Sequence, residues 1–492
     1  MSFHTLDYLL FLPIVVMLYF QTPQRFRWVL LLIASNLFYA SWRVDFVALL
    51  WLTTIVDYVV ARLMPRAPNT AARTILLFVS LTTNLGMLLF FKYFALAANT
   101  WMGFLHQGDP AGFEPIHLIL PLGISFYTFQ TLGYVVDVYR GRRQPETHLG
   151  YFAVYVTYFP QLVAGPIERP GKLLPQLRQE HAFEARRAAA GGALMLLGYF
   201  KKLVIADRLA MFVPDVMAAP HDYSPLLVTL TSFGGIYQYY ADLSGYADIA
   251  IGSSLILGIR LAKNFDRPLA AVSISQFWQR WHITVTNWFR DYVYIPLARG
   301  ARGSWRRPAA TLLTIVIISF WHGAAWSWLA AGIVAGLVMI AEGAFRRNRV
   351  IIDGCNAGFR ALRFNPGQIR FVQDNSNRVV LWAFLIFLGS LVNAATWGDA
   401  MVMWRKMAEL PTQLATLNVD LTGLGKLART VFLLPVAIIA LEIFQWLDAR
   451  KPVFDRLADR GLPTAWAFYY ALAAIILVFG AFSRPDFLYF NF

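Results

Sequence analysis

The chain has 492 residues, of which 58% are hydrophobic and 14% charged, with a mean hydropathy of +0.51. A soluble protein of this length exposes far more charge, so the composition excludes that class and points to a polytopic membrane protein. The net charge of +15 reads as Lys and Arg gathered in cytoplasmic loops, not as a nucleic-acid surface, and the single cysteine, Cys355, excludes an internal disulfide.

A membrane-spanning helix needs roughly 20 mostly apolar residues. Such stretches begin near residues 8, 28, 45, 74, 116, 188, 225, 309, 328, 379, 430 and 464. Those at 309 and 328 are close enough to form one hairpin, which predicts about eleven crossings. The opening "MSFHTLDYLLFLP" has no Lys or Arg ahead of its apolar run, so it is expected to be a retained first span and not a signal peptide. Arg25 and Arg27, then Arg62, Arg66 and Arg73, then Arg140, Arg142 and Arg143 alternate with segments that lack Lys and Arg, such as 95–118 and 214–225. The positive-inside rule then puts both the N-terminus and the tail outside. Arg405, Lys406, Lys426 and Arg429 run against the pattern, because the 399–429 loop falls on the expected outer, periplasmic side. Residues 346–378, basic and polar, read as a cytoplasmic loop.

Two stretches do not read as simple spans. Residues 151–177 are apolar but broken by Pro160, Gly165, Pro166, Pro170 and Gly171. Such a segment enters a membrane only where protein or a cavity satisfies its backbone. Residues 264–307 carry cytoplasmic-type charge at both ends and aromatics between, which suits a re-entrant or interfacial helix pair. Within it Trp278, His282, Val285 and Phe289 fall on one helical stripe, and Gln276, Arg280, Asn287 and Asp291 on another.

The chemistry-bearing candidates are few. His322 lies in "SFWHGAAWSW" inside a long apolar run. An ionisable side chain at membrane depth is a functional-site hypothesis by default, although a neutral imidazole can also serve as an interhelical hydrogen-bonder. A ring in such surroundings is expected to stay neutral, the form a general base needs, and Gly323 beside it permits close backbone approach. His282 on its aromatic stripe reads more simply as a core residue. Asp242 and Asp248, with Ser244 and Tyr246, stand at the head of an apolar run, where the carboxylates either cap a helix N-terminus or line a substrate tunnel. The tail "RPDFLYFNF" (484–492) is either an interfacial aromatic anchor or, through Tyr489, a transient acyl carrier. A phenol's pKa of ~10 lies near the ~8.5 of a thiol, so its ester is activated. There is no HExxH, Cys/His cluster, GxSxG elbow, P-loop or dinucleotide fingerprint, and "GGALMLLG" is glycine punctuation within a span. Neither a bound cofactor nor a metal site is expected.

Several long motifs occur together: "LPLGISFYTFQTLGYVVDVYRG" (120–141), "YFPQLVAGPIERP" (158–170), "GYFKKLVIADRLA" (198–210), "ADLSGYADIAIG" (241–252), the aromatic stretch 264–297, "FWHGAAWSW" (320–328) and the terminal "FLYFNF". On these the chain resembles the membrane-bound O-acyltransferase (MBOAT) family, in its alginate O-acetyltransferase-like bacterial branch, over nearly its whole length. One departure is Ala298-Arg299-Gly300, where the family pattern has a glycine pair after "YIPL". The resemblance implies one all-α polytopic membrane domain over 1–492, a ring of helices with re-entrant pieces around a central tunnel, in the bacterial inner membrane. It implies His322 as the essential histidine, His282 as the second, and Tyr489 as an acyl acceptor. Trp321, Trp281, Arg280, Asn287, Asp291, Tyr246 and Asp242 are then candidate substrate contacts. It further implies acetyl-CoA as donor, an exported polysaccharide as acceptor, and a periplasmic, SGNH-hydrolase-like acetyltransferase as partner. The alternatives are a transporter or flippase, or a scaffold subunit of a polysaccharide secretion complex. The absence of internal repeats speaks against the transporter.

Overall fold

The computed structural model describes residues 1–105, 115–299, 305–348, 357–360, 362–416, 420, 424–451, 453–454 and 462–482. Every regular element among them is helical. Among the described residues, five helices are long and apolar enough to cross a membrane: Asp45–Arg66, Thr70–Leu105, Ala185–Ala218, Trp326–Arg347 and Pro366–Asn393. Shorter apolar helices, including Leu6–Gln21 and Leu462–Phe479, accompany them. Leu10, Ile33, Phe78 and Leu477 are among the many large apolar side chains left exposed, as a lipid-facing surface requires. The protein is therefore an all-α polytopic membrane protein.

The centre is the 32-residue helix Pro225–Ile256, capped by the Ser224 hydroxyl. Its closest neighbour is Ala185–Tyr199. Gly191 and Gly198 on that helix oppose Gly252 and Gly245 on the central one, and an added Cβ at any of the four would come within 2.5–2.7 Å of the facing glycine's carbonyl oxygen. The glycines of "GGALMLLG" thus let two backbones touch, the packing that replaces hydrophobic drive inside lipid. Beyond Tyr199 the helix widens into a π-turn, Phe200–Ala206. Lys202 projects from it to Asp242 at 2.6 Å and Asp207 at 2.8 Å, and Lys201 reaches Asp248 at 2.6 Å. The expectation that Asp242 and Asp248 cap a helix start is overturned. They lie in the second half of one continuous helix, and lysines from the neighbouring π-turn compensate their charge.

Residues 151–177 form the helix Leu149–Thr157, a short turn Phe159–Leu162, extended chain, and the helix Pro170–Arg178. Positions 152–165 are buried throughout. Protein groups satisfy this irregular backbone: the Phe159 N–H donates to Ser35 Oγ at 3.0 Å, and the Ile167 N–H to Thr284 Oγ1 at 3.1 Å. Gln130 and Gln161 both donate to the Tyr155 carbonyl. In the 264–307 stretch the helices Ile274–Arg280 and Ile283–Phe289 are separate. His282 between them is left-handed, at φ 45° and ψ 49°. The single stripe drawn through Trp278, His282, Val285 and Phe289 assumed unbroken helix and does not hold. Further on, Trp397–Ala415 is a helix with a capping box that overlaps the stretch read from sequence as the 399–429 loop, and Pro366–Asn393 begins within 346–378.

Candidate active site

The apolar run around His322 is a helical hairpin, Arg306–His322 and Trp326–Arg347. His322 is the last residue of the first arm. Gly323 then turns the chain in an extended conformation, φ −141°, that any residue could adopt. Its glycine is needed for room: a Cβ there would fall 2.1 Å from Trp328 Nε1. The Trp328 indole lies against the turn and stacks on the His322 ring, with centroids 5.9 Å apart and planes at 25°. Ser319 ties the arms together by donating to the Trp328 carbonyl at 2.6 Å.

The break at Trp281–His282 delivers the second histidine. A left-handed non-glycine residue costs on the order of 1–2 kcal/mol, so something must hold it. Asn264, itself buried, does so. Its carbonyl accepts from the Ile283 N–H at 2.8 Å, while its side-chain oxygen accepts from the Thr284 N–H at 3.2 Å and hydroxyl at 2.9 Å. With that oxygen occupied by donors, the amide nitrogen faces His282 Nδ1 at 3.3 Å. Nδ1 is then the acceptor, and a neutral His282 carries its proton on Nε2. The rings of His282 and His322 come within 5.8 Å of each other, centroid to centroid, at 50°.

Two hollows lie at or near His322. One is an apolar cavity of about 160 Å³ lined by Tyr239, Trp278, Trp281, Ser319, His322 and Trp328, among others. The second is a more polar cleft of about 500 Å³ lined by Lys92, Asn99, Thr100, His117 and Ala324, which meets the turn just after His322. Among the described residues no group of three or more His, Cys, Asp or Glu is placed to hold a metal ion.

The candidate residues divide between this site and other places. His322, His282 and Trp281 come together, and Trp281 stacks on Phe277 at 5.3 Å. Trp321 is adjacent but faces away from the cavity lining, into a nest of Phe126, Phe129 and Phe289. Asp291 is held by Arg169 at 2.8 Å and Arg290 at 2.9 Å. The Asn287 carbonyl meets Arg169 at 3.5 Å, and the Arg280 carbonyl accepts from the Asp266 N–H at 2.9 Å. None of these three lines the apolar cavity. Tyr246 stacks on Phe3 at 4.4 Å, and Asp242 pairs with Lys202. Tyr489 lies outside the described residues. Sequence reasoning passed over Asn264, whose role follows only from the fold, and Lys92, a lone cation in the apolar run 74–105 that its rarity at membrane depth could have flagged.

The site thus sets His322 in the wall of an apolar cavity, with His282 packed beside it. The comparisons give the class. The membrane-bound O-acyltransferase family profile matches residues 146–352. A probable alginate O-acetylase of Pseudomonas putida is 33% identical, covering 98% of this chain and 98% of that protein. A peptidoglycan O-acetyltransferase of Helicobacter pylori is 32% identical over 64% of each chain. A teichoic acid D-alanyltransferase of Streptococcus thermophilus is 27% identical, over 61% of this chain and 78% of that one. The chain belongs to the membrane-bound O-acyltransferase family and is an O-acyltransferase, a multi-pass membrane protein that works with an acyl donor.

Proposed function

We propose that the protein takes an acetyl group from cytoplasmic acetyl-CoA and passes it across the bacterial inner membrane for O-acetylation of an exported, alginate-like polysaccharide. The observation that carries this reading is the pairing of His282 and His322, 5.8 Å apart, with His322 in the wall of an apolar cavity. The acetyl thioester occupies that cavity from the cytoplasmic side, and a hydroxyl approaches His322 from the side of the polar cleft, which is lined by Ala324 just beyond the turn. His322, neutral, takes the hydroxyl proton as general base. The oxygen attacks the thioester carbonyl carbon, the carbon–sulfur bond breaks, and the CoA thiolate leaves with the proton that His322 returns. The Nε2–H of His282 is a donor suited to the carbonyl oxygen as negative charge builds there. The apolar lining of Trp278, Trp281 and Trp328 keeps water from the thioester.

The hydroxyl is that of Tyr489, and a periplasmic SGNH-hydrolase-like acetyltransferase then moves the acetyl group to the polymer. The names of the relatives from Pseudomonas and Helicobacter support an acetyl donor and a glycan acceptor. Family membership favours this enzyme over a transporter or a scaffold subunit. The test is mass spectrometry of the purified protein after incubation with labelled acetyl-CoA. Label on Tyr489 of the wild type, absent from a monodisperse Tyr489→Phe variant that still binds acetyl-CoA, supports the relay. Polymer acetylation at the normal rate by Tyr489→Phe overturns it and leaves direct transfer.

A further inference from the structure

The end of the His322 helix is finished by another helix. The last four carbonyls of any helix lack partners within it, and inside a membrane an unanswered carbonyl costs several kcal/mol. Here each one is met. The Ser319 carbonyl accepts from the Gly323 N–H at 3.4 Å. The Phe320 carbonyl accepts from the Tyr93 hydroxyl at 3.0 Å. The Trp321 and His322 carbonyls both accept from Lys92 Nζ, the second at 3.3 Å. Lys92 is 6% exposed, and no ion pair involves it among the described residues. Tyr93 also stacks on the Phe320 ring, centroids 4.8 Å apart. Adjacent residues of the Thr70–Leu105 helix therefore hold three successive carbonyls of "FWH".

We infer that Lys92, assisted by Tyr93, is a positioning residue that sets where the His322 imidazole stands against His282 and the cavity. An ammonium supplies up to three donors, and its charge at a helix C-terminus is favoured by the helix dipole. Fixing the carbonyls of Trp321 and His322 fixes the backbone from which the imidazole hangs. Without the cation the Trp321 and His322 carbonyls lose their donor, the final residues of the helix are free to turn toward the Gly323 bend, and the ring moves with them. This rests on His322 being the base, and it adds a residue that contacts neither ring nor donor.

The test measures CoA release by Lys92→Met, Lys92→Arg and Tyr93→Phe in nanodiscs, with kcat and KM for acetyl-CoA separated and monodispersity checked. A base displaced by about 1 Å loses on the order of 100-fold in rate. Lys92→Met should therefore lose at least about tenfold in kcat with KM nearly unchanged, Lys92→Arg should recover part of it, and Tyr93→Phe should lose a few-fold. A Lys92→Met protein with kcat within twofold of wild type overturns the inference. So does a parallel rise in KM that Arg does not correct. Should Lys92→Met fail to accumulate, wild-type kcat in both Lys92→Arg and Tyr93→Phe overturns it. If Lys92→Met is normal while His322→Ala is dead, only this inference falls. If His322→Ala is active, the base reading falls first.

Discussion

Gly323→Ala isolates the packing that holds Trp328 against the turn after His322. Alanine tolerates φ −141° and ψ 130° without strain, so the added methyl acts only through space. Its Cβ would sit 2.1 Å from Nε1, 2.2 Å from Cδ1 and 2.6 Å from Cε2 of Trp328, all well inside the 3.4–4 Å of ordinary contact. The indole is rigid and must swing away, abandoning its stack on His322. Overpacking of this kind costs about 1–3 kcal/mol, offset by about 0.4–1 kcal/mol because alanine has fewer unfolded conformations than glycine. The midpoints of those two ranges give a net loss of about 1.3 kcal/mol. It is measured as a double-mutant cycle with Trp328→Ala by reversible unfolding in mixed micelles. The loss should appear with Trp328 present and vanish in the Trp328→Ala background. An equal loss in both backgrounds, or none in either, refutes the steric argument.

Other substitutions probe the supports of the site. Asn264→Ala leaves the Thr284 N–H and the His282 ring without their partner, and should cost about 1–3 kcal/mol in stability and lower CoA release. If release is unchanged, the clamp on the left-handed His282 is not needed. Lys202→Met strands Asp242 and Asp207 in the interior and should destabilise by about 3–5 kcal/mol. Adding Asp242→Asn should restore part of this, and no restoration would count against a compensating triad. Gly252→Val cannot keep the backbone contact with Gly191, and should sharply reduce the folded, detergent-stable fraction while Gly192→Ala, which meets open space, leaves it intact.

What could be read from the sequence depended on how local each feature was. Apolar length and charge alternation disclosed a polytopic helical protein, because a lipid-facing helix must be apolar over its own residues. His322 stood out since an ionisable ring among Ile318, Trp321 and Trp326 has no local explanation. The backbone state of His282 was hidden: nothing in "QRWHIT" breaks a helix, and the break is held by Asn264, outside that local window. The same holds for Asp242, read as a cap because its lysine partner lies 40 residues earlier in sequence. Lys92 was visible as a residue but not as a support, since its partners are carbonyls of a helix more than 200 positions away.

Single-turnover CoA release from acetyl-CoA by purified His322→Ala, beside wild type and His322→Gln, tests the central claim most directly. Removing a general base should slow release by about 100- to 10,000-fold while acetyl-CoA still binds and the protein remains monodisperse. Release at the wild-type rate by a folded His322→Ala protein would contradict the account.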